Sequence, residues 1–352
     1  MTERRAMPSS ALTSFVVASR YLPVYIAIAL LLVIAAIWAP RTLSGPGLRG
    51  IAPFGTFLAI TALGQMLVIM TGGIDLSVPG TFTLAAVVTV GVGQTADERL
   101  WTAIGMALLL AALVGLLNGI LIGGLGLNAL IVTLAVGQIV SGLTFRYFTS
   151  VAIQTPVPPS LSTWTRERFL GVTRTFWVGV AITLLLIVIF RFTTAGRRFQ
   201  VVGANPTASW IAGLRVNLNQ VAAYVVAAVL YATAGILLAS FLKTPNITIG
   251  APYLLGPIAA VVIGGASLTG GLASPLSTWA AAFFLAGLTQ MMRVMGLPTA
   301  LQFVVFGLVI IGGMLVSGDR IIRAMEHLLR ERRGRGRAVA APTVGDTVDG
   351  AG

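Results

Sequence analysis

The chain has 352 residues, 57% of them apolar, with only 23 Lys+Arg and 10 Asp+Glu. A soluble domain carries charge on roughly a quarter of its residues, so this composition excludes one. A mean hydropathy of +0.95 points instead to a polytopic membrane protein with short loops. The absence of cysteine excludes disulfides and thiolate sites, and the single histidine, His327, falls in a charged tail, so neither metal nor redox chemistry is expected.

Ten apolar runs follow in chain order, at about 22–39, 51–70, 80–96, 101–122, 128–148, 175–192, 219–242, 254–268, 275–292 and 299–317. They predict an all-α fold of about ten transmembrane helices within residues 21–320. A cytoplasmic segment, 1–20, precedes this domain, and a basic and then disordered cytoplasmic tail, 321–352, follows it. No small-residue cleavage site follows the first run, so it is expected to stay as a helix rather than leave as a signal peptide. The third and eighth runs are short or interrupted by glycine, and are expected to break or re-enter within the membrane.

The net charge of +13 does not imply nucleic acid, because the basic residues lie in loops and tails. With the N-terminus inside, Arg4, Arg5, Arg20, Arg191, Arg197, Arg198, Arg215 and the arginines from Arg320 to Arg337 share the cytoplasmic side, while Arg41, Arg49, Arg166, Arg168 and Arg174 fall outside. This puts both termini in the cytoplasm. The outer segment 149–174, with Pro156, Pro158, Pro159 and Trp164, is a candidate contact surface. On the inner side, Asn205 and Pro206 mark a helix start within TTAGRRFQVVGANPTASWIAGLRVN, predicting a short surface helix over 206–214.

Two segments are candidates for chemistry. In TGGIDLSVPG, Asp75 is the one ionisable residue between Arg49 and Asp97. Gly72 and Gly73 permit non-helical backbone, and Ser77 can bond the carboxylate. The residues fit either a broken helix lining a translocation pathway or a tight turn in which Asp75 caps the next helix. GGASLT, beginning at Gly264 and Gly265, aligns with this segment, and an even number of intervening spans would give both the same orientation. A second match, GLNAL at 126–130 with GLPTAL at 296–301, falls on opposite sides. Gln65, Asn118, Gln138, Gln290 and Gln302 lie inside spans, as solute ligands or as interhelical hydrogen-bonders. Trp and Tyr are read as belts at the span ends. The lone lysine, Lys243, stands outside any phosphate loop, so the chain is expected not to hydrolyse ATP, and one intramembrane carboxylate gives little for ion coupling.

TGGIDLSVPG, the stretch VVGANPTASWIAGLRVNLNQVAAYVVAAVLYATAGIL at 201–237 and IAAVVIGGASLTGG at 258–271 together resemble the membrane permease of ribose-type ABC importers, over residues 20 to 320. The resemblance implies an inner-membrane subunit of a bacterial ATP-driven importer that passes a monosaccharide or related polyol. Its implied partners are a cytoplasmic ATP-binding subunit, a periplasmic sugar-binding protein and a second permease subunit, in a homodimer or a heterodimer. No cofactor is implied for this chain, ATP being bound by the partner. Gly203, Asn205, Pro206, Ala208 and Gly213 match the cytoplasmic loop thought to couple to the ATPase. Thr207 departs from the acidic residue common there, so a salt bridge to the ATPase from that position is not implied, and Pro79 stands where glycine is usual. The alternatives are a related permease for branched-chain amino acids or nucleosides and a stand-alone ion-coupled secondary transporter.

Overall fold

The computed structural model describes residues 10–151, 156–244 and 246–317. The start of the expected N-terminal segment, the tail arginines, His327 and the expected disordered tail lie outside them. All ten apolar runs are helical. The helices are, in chain order, α1 (Ser10–Trp38), α2 (Gly45–Met70), α3 (Val78–Gly93), α4 (Leu100–Gly119, continued by a π turn to Gly124) and α5 (Ala129–Val151). After α6 (Pro159–Arg166), a hairpin of β1 (Arg168–Phe169) and β2 (Val172–Thr173) leads into α7 (Arg174–Phe192). The short helices α8 (Thr194–Ala204) and α9 (Pro206–Ile211) precede α10 (Val216–Leu242), α11 (Leu255–Ile263), α12 (Pro275–Val294) and α13 (Thr299–Ser317).

Six helical segments among the described residues are long and apolar enough to cross a membrane by length and composition. The third and eighth runs are short, as their sequence suggests, with 16 residues in α3 and 9 in α11. A rise of about 1.5 Å per residue gives them lengths of about 24 Å and about 14 Å, against a hydrocarbon core of about 30 Å. The eighth run leaves the helical path at Gly264 rather than continuing to 268, because Gly265 adopts φ +83° and turns the chain. A left-handed glycine just past the last turn is the usual way to end a helix.

At the centre stands α2, buried at every residue from Gly55 to Met70. It packs on α10, α12, α11 and α7, and α10 in turn packs on α3 and α4. Lipid supplies no hydrophobic drive between helices, so close backbone approach and dispersion must hold them together. Gly64 of α2 shows the means. A Cβ there would stand 2.6 Å from the Tyr231 ring and 3.0 Å from the Ala227 carbonyl of α10. Gly115 of α4 meets the Tyr224 carbonyl of α10 in the same way, at 2.5 Å. The sequence thus seats α10 against two neighbours by omitting side chains where the backbones cross.

The loop before α10 holds two helices where the sequence suggested one. Thr193 caps α8 by accepting from the Gly196 N–H at 3.1 Å. Asn205 caps α9 through Oδ1, which accepts from the Ala208 N–H at 3.0 Å, and Pro206 opens it, as expected. The second helix ends at Ile211, short of the expected 214. Gly213, at φ +78°, closes it with bonds from Gly213 N to Trp210 O (2.9 Å) and Leu214 N to Ser209 O (2.9 Å). These two bonds have the pattern of a Schellman cap.

Candidate functional site

Residues Thr71–Ser77 leave the helical path between α2 and α3. Gly72, at φ +81°, ends α2, and its N–H donates to the Ile69 carbonyl while that of Gly73 reaches Val68. The chain then turns inward, and Asp75 is buried with 1% exposure. Its Oδ1 accepts from the Ser77 N–H at 2.8 Å and from the Ser77 hydroxyl at 2.6 Å. Ser77 is the residue preceding α3, so Asp75 stands three positions before that helix and ties the turn to its start, as an Asx turn does.

The surrounding helices hold this turn by its backbone. With the Gln65 amide oriented to satisfy both its ends, its oxygen accepts from the Asp75 N–H at 3.1 Å and its nitrogen donates to the Asp75 carbonyl at 3.2 Å. That nitrogen also meets the Tyr231 hydroxyl at 3.1 Å. From α4, Asn118 Nδ2 donates to Ser77 Oγ at 3.0 Å; from α5, Thr133 Oγ1 accepts from the Leu76 N–H at 2.9 Å. Gln65, Asn118, Thr133 and Tyr231 are all 0% exposed, so each bond substitutes for water that cannot enter. The Tyr224 hydroxyl, equally buried, packs on Gly73. Among the described residues no basic side chain lies within ion-pair reach of Asp75; their ion pair joins Glu167 and Arg174, at 2.7 Å.

Of these groups, Gln65 and Asn118 stand out in the sequence as polar residues within spans. Tyr224 and Tyr231 do not, because tyrosine near apolar runs reads as an interface anchor, whereas both lie inside α10 on one face. Gln138 of α5 is exposed and stands apart from the cluster. Gln290 is half-buried on α12, and Gln302 spends its amide on the Leu297 carbonyl, at 2.8 Å.

The second glycine segment folds as the first does, but one residue out of the sequence alignment. The left-handed position is Gly265, not Gly264, so Gly265 is the counterpart of Gly72. Its N–H donates to Val262 O and that of Ala266 to Val261 O, matching the bonds of Gly72 and Gly73. Two adjacent glycines cannot tell from sequence which of them takes the positive φ. The second match shows no such offset: its aligned glycines, Gly126 and Gly296, take φ +71° and +70°.

The two glycine turns and the α8–α9 loop meet. The Gly271 N–H donates to the Met70 carbonyl at 2.9 Å. A Cβ on Gly203 would run into that same carbonyl; one on Gly270 would stand 2.5 Å from the Gly203 carbonyl, and one on Gly271 would stand 2.7 Å from Ala204 Cα. Three segments far apart in the chain therefore touch backbone to backbone. Of the loop residues singled out in the sequence, Gly203 lies in this junction, Asn205 and Pro206 start α9, Ala208 donates to the cap, and Gly213 ends the helix. Beyond the junction, α9 exposes Trp210 (73%) and Ile211 (75%), two apolar side chains on a loop whose composition advertises only its arginines.

Comparison with known proteins places these features. Residues 48–314 match the family described as the permease component of branched-chain amino acid transport systems. The ribose import permease protein of Escherichia coli K12 is 30% identical over 84% of this chain and 92% of its own length. The autoinducer 2 import system permease protein of Klebsiella pneumoniae is 32% identical over 90% of each chain. The L-arabinose transport system permease protein of Escherichia coli K12 is 29% identical over 82% of this chain and 87% of its own. No solved structure matches.

Proposed function

Because the chain belongs to this family of ABC importer permeases, as a multi-pass membrane protein of the ribose type, we propose that it is the membrane subunit of an ATP-driven importer carrying a monosaccharide or related polyol. The solute class rests on the names of the relatives, which import ribose, arabinose and autoinducer 2. A cytoplasmic subunit binds and hydrolyses ATP, a periplasmic protein delivers the solute, and a second permease subunit completes the path. The chain needs no cofactor of its own. It lies in the bacterial inner membrane with both termini in the cytoplasm.

The observation that carries the reading is the junction of Met70, Gly203 and Gly271. An ATPase subunit that seats Trp210 and Ile211 moves α8 and α9 as it closes. At Gly203 that motion meets backbone rather than side chain, so it passes into the end of α2 and the turn before α12 with little slack. The end of α2 leads directly to Asp75, whose backbone Gln65 anchors to the centre of the same helix. Rocking of packed helices about such a contact is the shear form of an alternating-access change. Asp75 and Ser77 shape the turn rather than take a proton; Gly72, followed by Gly73, bends it, and Gly265, preceded by Gly264, bends its counterpart before α12.

Reconstitution tests this. Vesicles holding the chain, its ATPase and its binding protein should take up labelled sugar only with ATP on the side that carries the ATPase. Uptake by the chain alone, or driven by an ion gradient, overturns the reading. Uptake of leucine in place of sugar reassigns the solute to the amino-acid branch of the family.

A further inference from the structure

At the end of the molecule opposite the Asp75 turn, a cavity of about 220 Å³ opens between the start of α2, the end of α10 and the β1–β2 hairpin. That is far more than the roughly 10–15 Å³ that one water needs. Its wall carries Arg49, Arg166 and Arg168, with Thr173 and the Phe241 ring beside them. Arg166 is fixed in place: its Nε donates to the Phe241 carbonyl at 2.7 Å, and its guanidinium lies 5.5 Å from the centre of the Phe241 ring. Its two terminal nitrogens make no hydrogen bond among the described residues. The Phe241 ring is held in turn edge-on by Phe54 and Phe57, so the floor is rigid.

Two of the acidic groups at this end are otherwise engaged, and the third stands away from the cavity. Glu167 pairs with Arg174 at 2.7 Å, and Asp97 accepts from the Ser160 N–H at 3.0 Å and from its hydroxyl at 2.6 Å. Glu98 lies beside Asp97, outside the cavity wall. Among the described residues Arg49, Arg166 and Arg168 therefore have no carboxylate partner, and three guanidinium groups repel one another across a shared hollow. Each presents paired N–H donors in the geometry that matches a carboxylate or phosphate.

We infer that this cavity is a binding site for an anionic group, a carboxylate or a phosphate, held by Arg49, Arg166 and Arg168 over the Phe241 floor. The same chemistry reaches the site from two sources, a soluble anion such as a sugar acid or the phosphate of an anionic lipid. The site requires a folded chain and nothing of the transport cycle, so its test stands apart from the uptake assay.

The full chain, in discs of phosphatidylcholine, is titrated by calorimetry with inorganic phosphate, D-glucuronate and, as a neutral control, D-glucose. Phosphate and glucuronate should bind and compete with each other, glucose should not compete, and affinity should fall as salt rises. Arg168→Gln, on an exposed strand, should raise Kd about tenfold or more, and Arg49→Gln should act likewise. Arg41→Gln, just before α2 at the same end but outside the cavity wall, should leave Kd unchanged. If the soluble anions do not bind but phosphatidylglycerol is retained by the wild-type chain and lost from Arg168→Gln, the anion is a lipid headgroup. Absence of both, or equal binding by Arg168→Gln and the wild type with near-native melting, overturns the assignment.

Discussion

Exchanging Gly271 for alanine adds one methyl group where three backbones meet. Two costs follow. The residue sits at φ +82°. A Cβ in that left-handed region costs about 1–2 kcal/mol. The new carbon would also stand 2.7 Å from Ala204 Cα and Cβ and 2.9 Å from its backbone nitrogen. Overpacking of that kind costs about 1–3 kcal/mol. The sum is about 2–5 kcal/mol, a large part of the margin of a typical domain. Two companion variants separate the terms. Gly296, at φ +70° with nothing within 4 Å of its Cβ, bears the conformational cost alone. Gly203 lies within α8, and its Cβ runs into the Met70 carbonyl, so it bears the steric cost alone. Melting of the purified chains in detergent should place Gly271→Ala and Gly203→Ala well below Gly296→Ala. ATP-driven uptake should fall for the first two and persist for Gly296→Ala. If Gly271→Ala and Gly296→Ala melt and transport alike, the backbone junction carries neither packing nor motion and the reasoning fails.

Further consequences concern single side chains. Gln65→Leu strips the Asp75 N–H and carbonyl of their partners. Each buried group left unmet costs about 1–3 kcal/mol, so the variant should melt well below the wild type. Asp75→Asn keeps an oxygen able to accept from Ser77, so sugar uptake should survive it, whereas Asp75→Leu should lose it; abolition by Asp75→Asn with the fold intact would favour ion coupling over an external motor. Trp210→Asp, on an exposed face, should leave melting unchanged but weaken pull-down of the ATPase subunit, and undiminished capture would remove α9 from that contact. Leu170 and Gly171 form a two-residue hairpin turn with φ +51° and +81°. Such a turn suits Asn-Gly, so Leu170→Asn should stabilise the chain by about 1 kcal/mol or less and raise its melting point slightly.

Hydropathy made the ten helices visible, since lipid leaves a span few options beyond an unbroken apolar run. It also marked α3 and α11 as the short ones, through their glycines. What it did not convey depends on contacts rather than on local composition. Helix α8 escaped notice because TAGRRFQVVGA is too polar to read as a span and carries two glycines, which disfavour a helix. The polar ring about Asp75 was half visible: Gln65 and Asn118 stand out against apolar neighbours, but Tyr224 and Tyr231 look like anchors until α10 is seen to cross the centre. The offset between Gly72 and Gly265 is of the same kind. A φ sign is chosen by which carbonyls lie in reach, and GG spells both choices alike.

The meeting of Met70, Gly203 and Gly271 has a consequence for how this protein can vary. A crowded side chain can be relieved by trimming its neighbour, so most tight contacts in a core admit a second substitution that restores the first. Here the neighbour of each glycine is main chain, which every amino acid shares. No exchange at position 70, 203 or 204 removes a carbonyl or a Cα, so a larger residue at 203, 270 or 271 can be tolerated only by moving whole helices apart. Drift at this spot is therefore closed to pairwise compensation, and a lineage that loses one of these glycines must rebuild the crossing itself.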